Sequence, residues 1–185
     1  MANNSIPQTV VKFQGKNEYY ITGDTAEMVL YDKHGAEKCR TVIDSEDVER
    51  CAEYRWCLNG NYVSHTVCSR VSKQREMRLH DLLLKFKGTR KNQIDHENRD
   101  ALDNRKCNLR VCTHQQNLLN NSQKPGTSGF RGVYTTPNGN RWRAKIKHNG
   151  ALKQIGAFGT AVAAAKAWNA KALELRGEFA VLNNV

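Results

Sequence analysis

The sequence lacks any apolar run that approaches the roughly 20 residues a membrane-spanning helix requires. No secretory signal opens the chain, and its six cysteines include no Cys-x-x-Cys pair. These absences disfavour a membrane protein, a secreted disulfide-bonded protein and a structural zinc site. We therefore expect a soluble, intracellular protein with reduced thiols, in the cytoplasm and without membrane contact.

Acidic residues are scarce toward the end of the chain. From Asn121 onward the sequence holds ten lysines and arginines but only two glutamates, a net charge of +8 out of the chain's +11. A segment that concentrates positive charge attracts polyanions, and nucleic acid first, through phosphate contacts and counterion release. The alternative is a basic surface that only keeps the protein soluble, which is the usual explanation of a charge run.

A polar stretch in the middle of the chain combines an acid, a histidine and spaced asparagines. Asp95 supplies a carboxylate oxygen and Asn117 a neutral carbonyl oxygen. Such oxygen ligands suit Mg²⁺, which keeps several waters and needs only one or two protein ligands. His96 is a candidate general base because the unperturbed pKa of a histidine lies near neutral pH. The pattern indicates a divalent-metal site beside a base, with Mg²⁺ favoured and Mn²⁺ as the alternative.

The predicted secondary structure brings these residues together. The sequence favours a strand at 93–96, a polar loop at 97–106 and a second strand at 108–112. Thr113 then caps a short helix that carries Asn117. Neighbouring residues on a strand face opposite ways, so we expect the first strand to end in a loop at the Asp-His pair.

This stretch closely resembles the HNH nuclease motif, in the Asp-His form of phage and intron-encoded homing endonucleases. The resemblance implies the ββα-metal (His-Me finger) fold and a metal-dependent DNA endonuclease in a bacterial or phage host. By position it makes Asp95 a metal ligand, His96 the general base and Asn117 the second metal ligand. Asn108 matches the middle asparagine, which braces the loop of the motif.

The resemblance is tight over 94–120 and loose over the predicted helix 78–86. The last letter of the motif is often histidine, whereas this chain has Asn117, so His114 one turn earlier is the alternative metal ligand. His80 lies on the helix, where bracing the fold through a hydrogen bond is favoured over direct catalysis. Three arginines are candidate phosphate clamps, although each is equally well explained as a surface charge: Arg99, Arg105 and Arg110.

The residues before the motif are predicted to form a small α+β platform. Residues 1–15 are polar, and we expect them to be frayed. The platform consists of two β-hairpins, at 27–43 and 56–67, and two short helices, at 44–54 and 78–86.

The basic segment is predicted to fold as a three-stranded antiparallel sheet packed on one helix. The strands fall at 130–135, 141–148 and 152–158, and the helix runs from a Thr160 cap to about Arg176. In the middle strand, three apolar residues alternate with four basic ones: Trp142, Ala144 and Ile146, and Arg141, Arg143, Lys145 and Lys147. This alternation favours a nucleic-acid surface, because a merely solubilising strand usually mixes the two signs of charge.

The motifs of this segment resemble the APETALA/ethylene-response-factor type of DNA-binding domain. They are Gly-Phe-Arg-Gly-Val at 129–133, Trp-Arg-Ala-Lys-Ile at 142–146, Ile-Gly-Ala-Phe at 155–158 and Ala-Val-Leu-Asn at 180–183. The resemblance implies DNA contacts from Arg131, Lys145 and Lys147, and Arg143 lies on the same basic face. The target sequence does not carry over, because plant members have arginine or tryptophan where this chain has Tyr134, Thr136 and Gln154.

Together these features predict an α+β protein with a nuclease domain at 1–120, a linker at 121–128 and a DNA-binding domain at 129–185. The predicted function is a metal-dependent, homing-type endonuclease that acts on double-stranded DNA, with no protein partner implied. The main alternative is a non-catalytic, sequence-specific DNA-binding regulator of transcription. A weaker alternative is an RNA-directed nuclease.

Overall fold

The structure is a computed structural model, and it describes residues 8–14, 16–67, 75–120 and 126–185. The chain separates into two compact units, Met1–Thr113 and His114–Val185. Both contain helices and small antiparallel sheets, which confirms the predicted α+β class. Across the described ranges, no helix is long and apolar enough to cross a membrane.

The first unit opens with a four-stranded antiparallel sheet in the order β1-β2-β3-β4. The strands are β1 (Thr9–Lys12), β2 (Glu18–Thr22), β3 (Thr25–Tyr31) and β4 (Glu37–Asp44). The predicted hairpin corresponds to β3 and β4. The expectation of a frayed terminus is wrong for β1, which pairs with β2 along its whole length and packs Val11 against the core. Residues 1–7 and 15, which the same expectation covers, lie outside the described residues.

Short helices and a second sheet follow. They are a 3-10 turn (Ser45–Asp47), α1 (Val48–Cys51), β5 (Cys57–Asn59), β6 (Tyr62–Val67), β7 (Arg75–Arg78) and α2 (Leu79–Leu83). Both helices are shorter than predicted. The indole Nε1 of Trp56 donates to the Cys51 carbonyl at 2.8 Å just after α1. Helix α2 begins only after β7 ends, and Lys85, with φ 51°, lies just beyond its last turn.

The core of the first unit surrounds Trp56, which is 1% exposed. Buried Asn17 holds this tryptophan, because its Oδ1 accepts from Trp56 N at 2.7 Å and its Nδ2 donates to Trp56 O at 3.0 Å. The same Nδ2 donates to Val29 O at 2.8 Å. A single amide thus joins β3 to the segment before β5 and satisfies backbone groups that would be costly to bury unpaired.

The unit ends with the two-stranded ribbon of β8 (Asn92–His96) and β9 (Leu109–Thr113), joined by a loop that closes with a 3-10 turn (Lys106–Asn108). The loop docks on β4: Val42 N donates to Leu102 O at 2.8 Å, and Asn104 N donates to Val42 O at 2.8 Å. The ribbon is therefore fixed to the first sheet through backbone hydrogen bonds.

The second unit has the sheet and helix that the sequence predicted. Its elements are α3 (His114–Asn120), β10 (Val133–Thr135), β11 (Trp142–His148), β12 (Ala151–Phe158), α4 (Ala161–Arg176) and a 3-10 turn (Gly177–Phe179). The strands are antiparallel in the order β10-β11-β12, with a bulge at Ala144/Lys145. Thr160 Oγ1 accepts from Ala163 N at 3.1 Å, as expected for the cap of α4. Of the predicted linker, residues 121–125 lie outside the described residues.

Helix α4 packs on the apolar side of this sheet through Trp168, whose Nε1 donates to Lys145 O at 3.1 Å. Close packing at this point depends on Gly132. Its φ is +70°, and a Cβ built on it lies 2.6 Å from Lys145 O and overlaps the Trp168 indole. Gly132 therefore provides both a left-handed backbone and the space for the indole.

We expect Gly132→Ala to destabilise the protein by roughly 2 kcal/mol or more, because it combines backbone strain with overpacking. Urea unfolding of the full chain, followed by tryptophan fluorescence, measures this loss. The matched control is Gly139→Ala, where φ is +71° but no atom lies within 4 Å of the added Cβ. Equal losses in the two variants would show that the indole contact contributes nothing.

Candidate functional site

The acid and the histidine of the motif lie at the end of β8, and each is 6% exposed. The strand ends at His96, as expected, and the pleat directs the two side chains to opposite sides. Asp95 Oδ2 accepts from Nε and Nη2 of Arg110 at 3.0 and 2.9 Å. Arg110 lies directly across the ribbon on β9, so the antiparallel register holds the carboxylate in place.

His96 is oriented by Asn104, a residue whose function the sequence did not indicate. The imidazole Nε2 lies 3.2 Å from Asn104 Oδ1. Asn104 Nδ2 donates to Thr41 Oγ1 at 2.9 Å and to Ala101 O at 3.1 Å. Because a backbone carbonyl can only accept, these bonds fix which end of the amide faces His96. Nε2 therefore carries the proton, and the lone pair of the neutral ring is on Nδ1.

The surroundings of His96 favour its neutral form. Burial lowers the pKa of this imidazole below its ordinary value, while the hydrogen bond with Asn104 and the charges of Asp95, Asp100 and Asp103 act in the opposite direction. A neutral imidazole with a lone pair on Nδ1 can accept a proton. The geometry thus suits a general base.

Two more rings lie beside His96. The His80 ring centroid is 5.4 Å from that of His96, and the Tyr62 ring is 5.7 Å from His80 and 6.2 Å from His96. Burial lowers the pKa of His80 to about 3, helped by the charges of His96 and Arg78. His80 Nε2 lies 3.7 Å from Asp81 Oδ1, and the ring packs edge-on against the rings of Tyr62 and His96.

Asn108 spans the loop between β8 and β9. Its Oδ1 accepts from Asn98 N at 2.9 Å, and its Nδ2 donates to Asp103 O at 2.7 Å. Its backbone carbonyl accepts from Glu97 N at 2.9 Å. One buried side chain thus ties the start of the loop to its end, directly after His96. This is the geometry of a loop brace.

Two of the three arginines considered as phosphate clamps are engaged in ion pairs. Arg105 donates through Nε and Nη2 to Asp103 at 2.8 and 2.6 Å, and the guanidinium holds the pKa of that carboxyl below its usual range. Arg110 is paired with Asp95. Only Arg99 is exposed, at φ 68° in the loop.

The two remaining metal candidates lie on α3, in the second unit. Asn117 is half-buried and His114 is exposed. Within the described ranges, no three His, Cys, Asp or Glu side chains cluster in a way that could hold a metal ion. The donor set of the motif, one carboxylate and one amide oxygen, is of the hard oxygen type that Mg²⁺ accepts alongside bound waters.

The basic face of the C-terminal sheet is interrupted by other side chains. Across the strands, Arg143 lies opposite Tyr134, Lys145 opposite Gln154, and Lys147 opposite exposed Leu152. Arg131 lies just before β10, where its backbone N donates to Asn183 Oδ1 at 2.6 Å. Three of the four predicted DNA contacts therefore share one strand and one face.

Comparison with curated proteins identifies a viral relative of this chain. A protein of Acanthamoeba polyphaga mimivirus, described as the uncharacterized HNH endonuclease L560, is 30% identical over 135 residues, which are 72% of this chain and 69% of the relative. The chain belongs to the HNH endonuclease family. No family model and no solved structure match it. Membership of the HNH endonucleases identifies a nuclease at the level of the family.

Long-range nitrogen–proton NMR correlation distinguishes the two tautomers of a neutral histidine. We expect His96 to show the Nε2–H form in the wild-type protein and a mixture in Asn104→Leu, because the acceptor that selects Nε2–H is removed. Asn98→Ala is the control, since Asn98 lies in the same loop and bonds to Asp103 rather than to His96. An Nδ1–H tautomer in the wild-type protein would contradict the assignment.

Proposed function

We propose that this HNH endonuclease cuts double-stranded DNA in a metal-dependent reaction, with residues 129–185 binding the DNA. The observation that carries the proposal is the buried His96, which Asn104 holds in one tautomer and which directly follows the buried Asp95 in the chain. The chain order β8, loop, β9 and α3 supports a ββα-metal arrangement, in which Asn108 braces the loop.

His96 acts as the general base. Its Nδ1 takes a proton from a water molecule, the water oxygen attacks phosphorus, and the bond to the 3′ oxygen breaks. Nε2–H stays bonded to Asn104, whose carbonyl oxygen stabilises the imidazolium that forms. Asn104 is thus a positioning residue rather than a catalytic one.

Asp95 and Asn117 are the proposed ligands of a divalent ion, most simply Mg²⁺, with Mn²⁺ as the alternative and His114 as the substitute ligand. When bound, the ion polarises the phosphate and stabilises the leaving 3′ oxygen. Arg110 orients the Asp95 carboxylate through Oδ2.

The proposed DNA-binding domain is of the ethylene-response-factor type. Its three-stranded sheet, with α4 on one side and basic residues on the other, supports this assignment. Lys145, Lys147 and Arg143 contact phosphates and fix the register of the sheet on the duplex, with Arg131 at its edge. The proposed homing-type role rests on the resemblance of the Asp-His motif to homing endonucleases.

The first test is His96→Ala, which we expect to abolish cleavage of plasmid DNA in Mg²⁺ while duplex binding is retained, because only the base is lost. Cleavage by the wild-type protein should also cease in EDTA. His34→Ala, a change at an exposed turn, is the control that should cut normally.

Retained cleavage in His96→Ala would exclude His96 as the base. Duplex binding without cleavage of any DNA by the wild-type protein would favour a DNA-binding regulator, a function that needs only the proposed DNA-binding domain at 129–185. Ready displacement of duplex DNA by structured RNA would favour an RNA-directed nuclease instead.

The second test is the salt dependence of duplex binding. Lys147→Ala should weaken binding several-fold and reduce the slope of log affinity against log salt by about 0.9, the value for one lost phosphate contact. Lys171→Ala is the matched control, since Lys171 lies on α4 and pairs with Glu174 at 2.6 Å. If Lys147→Ala and Lys171→Ala gave equal slopes of log affinity against log salt, the duplex would not contact Lys147.

A further inference from the structure

We propose that Arg78 and Tyr62 form a binding site for a backbone phosphate of the DNA strand beside His96. This inference rests on the proposed nuclease function and extends it to the second sheet of the first unit. Arg78 is the last residue of β7, and Tyr62 is the first residue of β6. Neither residue belongs to the motif that identifies the candidate nuclease site.

The guanidinium of Arg78 is held above the Tyr62 ring, with Cζ 4.7 Å from the ring centroid. Arg78 is exposed, and Tyr62 is 37% exposed. Stacking on a ring restrains the long arginine side chain while its planar fork of N–H donors remains able to bind an anion. Such a fork matches two oxygens of one phosphate.

The stacked pair lies next to the proposed base. The Tyr62 ring contacts both His80 and His96, with centroids 5.7 and 6.2 Å away. A phosphate held by Arg78 is therefore one ring away from the imidazole that activates water. This spacing suits a phosphate at or next to the one that is attacked.

Arg78 differs from the other arginines of this region in its ion pairing. Arg105 and Arg110 are neutralised by Asp103 and Asp95, and Arg50 pairs with Asp47. Among the residues the structure describes, no carboxylate lies within ion-pair distance of Arg78. Its positive charge is left for an anion from outside the chain.

A second stacked pair shows what a purely structural arrangement looks like in this protein. Arg40 lies over Tyr20 at 4.6 Å, but its guanidinium donates to Glu27 at 3.0 Å and to Glu37 at 2.8 Å. Arg40 therefore stacks on a tyrosine as Arg78 does, but its N–H donors already bind two glutamates. Arg78 differs in having the stacking without the carboxylates.

The test measures binding of the full-length protein to duplex DNA in EDTA, at several salt concentrations, so that binding is separated from cleavage. Arg78→Ala should weaken binding several-fold and lower the slope of log affinity against log salt by about 0.9. Tyr62→Leu should weaken binding in the same direction, and Tyr62→Phe should not, because the phenyl face remains. Arg40→Ala should match the wild-type slope.

Arg78→Lys guards against a folding defect, since it keeps the charge and should recover the wild-type slope while binding less tightly. A wild-type slope in folded Arg78→Ala overturns the phosphate site, even if the protein cuts DNA. Conversely, a reduced slope in a protein that binds but never cuts would support the site while the nuclease function fails. An equally reduced salt slope in Arg40→Ala would also overturn the phosphate site, because loss of any exposed arginine would then have the same result.

Discussion

The position of the His96 imidazole depends on one constraint, the docking of the loop between β8 and β9 onto β4. Val42 exchanges backbone hydrogen bonds with this loop on both sides, and Thr41 Oγ1 donates to Leu102 O at 2.7 Å. These contacts carry Asn104 to His96. The first sheet therefore orients the imidazole, although none of its strands supplies a residue of the nuclease motif.

The regular features of the chain could be predicted because they have local causes. Turns at Asn59-Gly60 and Asn149-Gly150, the Thr160 cap and the alternation along β11 each act within a few residues, and each has its expected structure. β1 was missed because polar residues flank it in the sequence, although Thr9, Val10 and Val11 are β-branched and Val11 packs on the core. Helix α1 is short because the Trp56 indole bonds to the Cys51 carbonyl at its end. Helix α2 is short because its predicted first residue, Arg78, belongs to β7.

The candidate site could be predicted only in part, since motif spacing identifies residues but not their partners. Asn104 bonds to Thr41, 63 positions earlier, and no local pattern indicates such a contact. The arginines show the same limit. The sequence does not distinguish the environments of three arginines. Tertiary structure shows that Arg105 and Arg110 pair with carboxylates, whereas Arg78 stacks on the Tyr62 ring.

The bulge at Ala144/Lys145 has a consequence for the shape of the basic face. The register there leaves Ile155 of β12 without a pairing residue on β11, since Ala144 pairs with Gly156 and Lys145 with Gln154. A bulge bends a strand and increases its twist, and Arg143 and Lys147 lie on β11 on either side of this point. Trp168 holds the carbonyl at this bend. For the proposed DNA-binding role, a sheet that is already curved can follow a cylindrical polyanion without first being deformed, which lowers the conformational-entropy cost of docking.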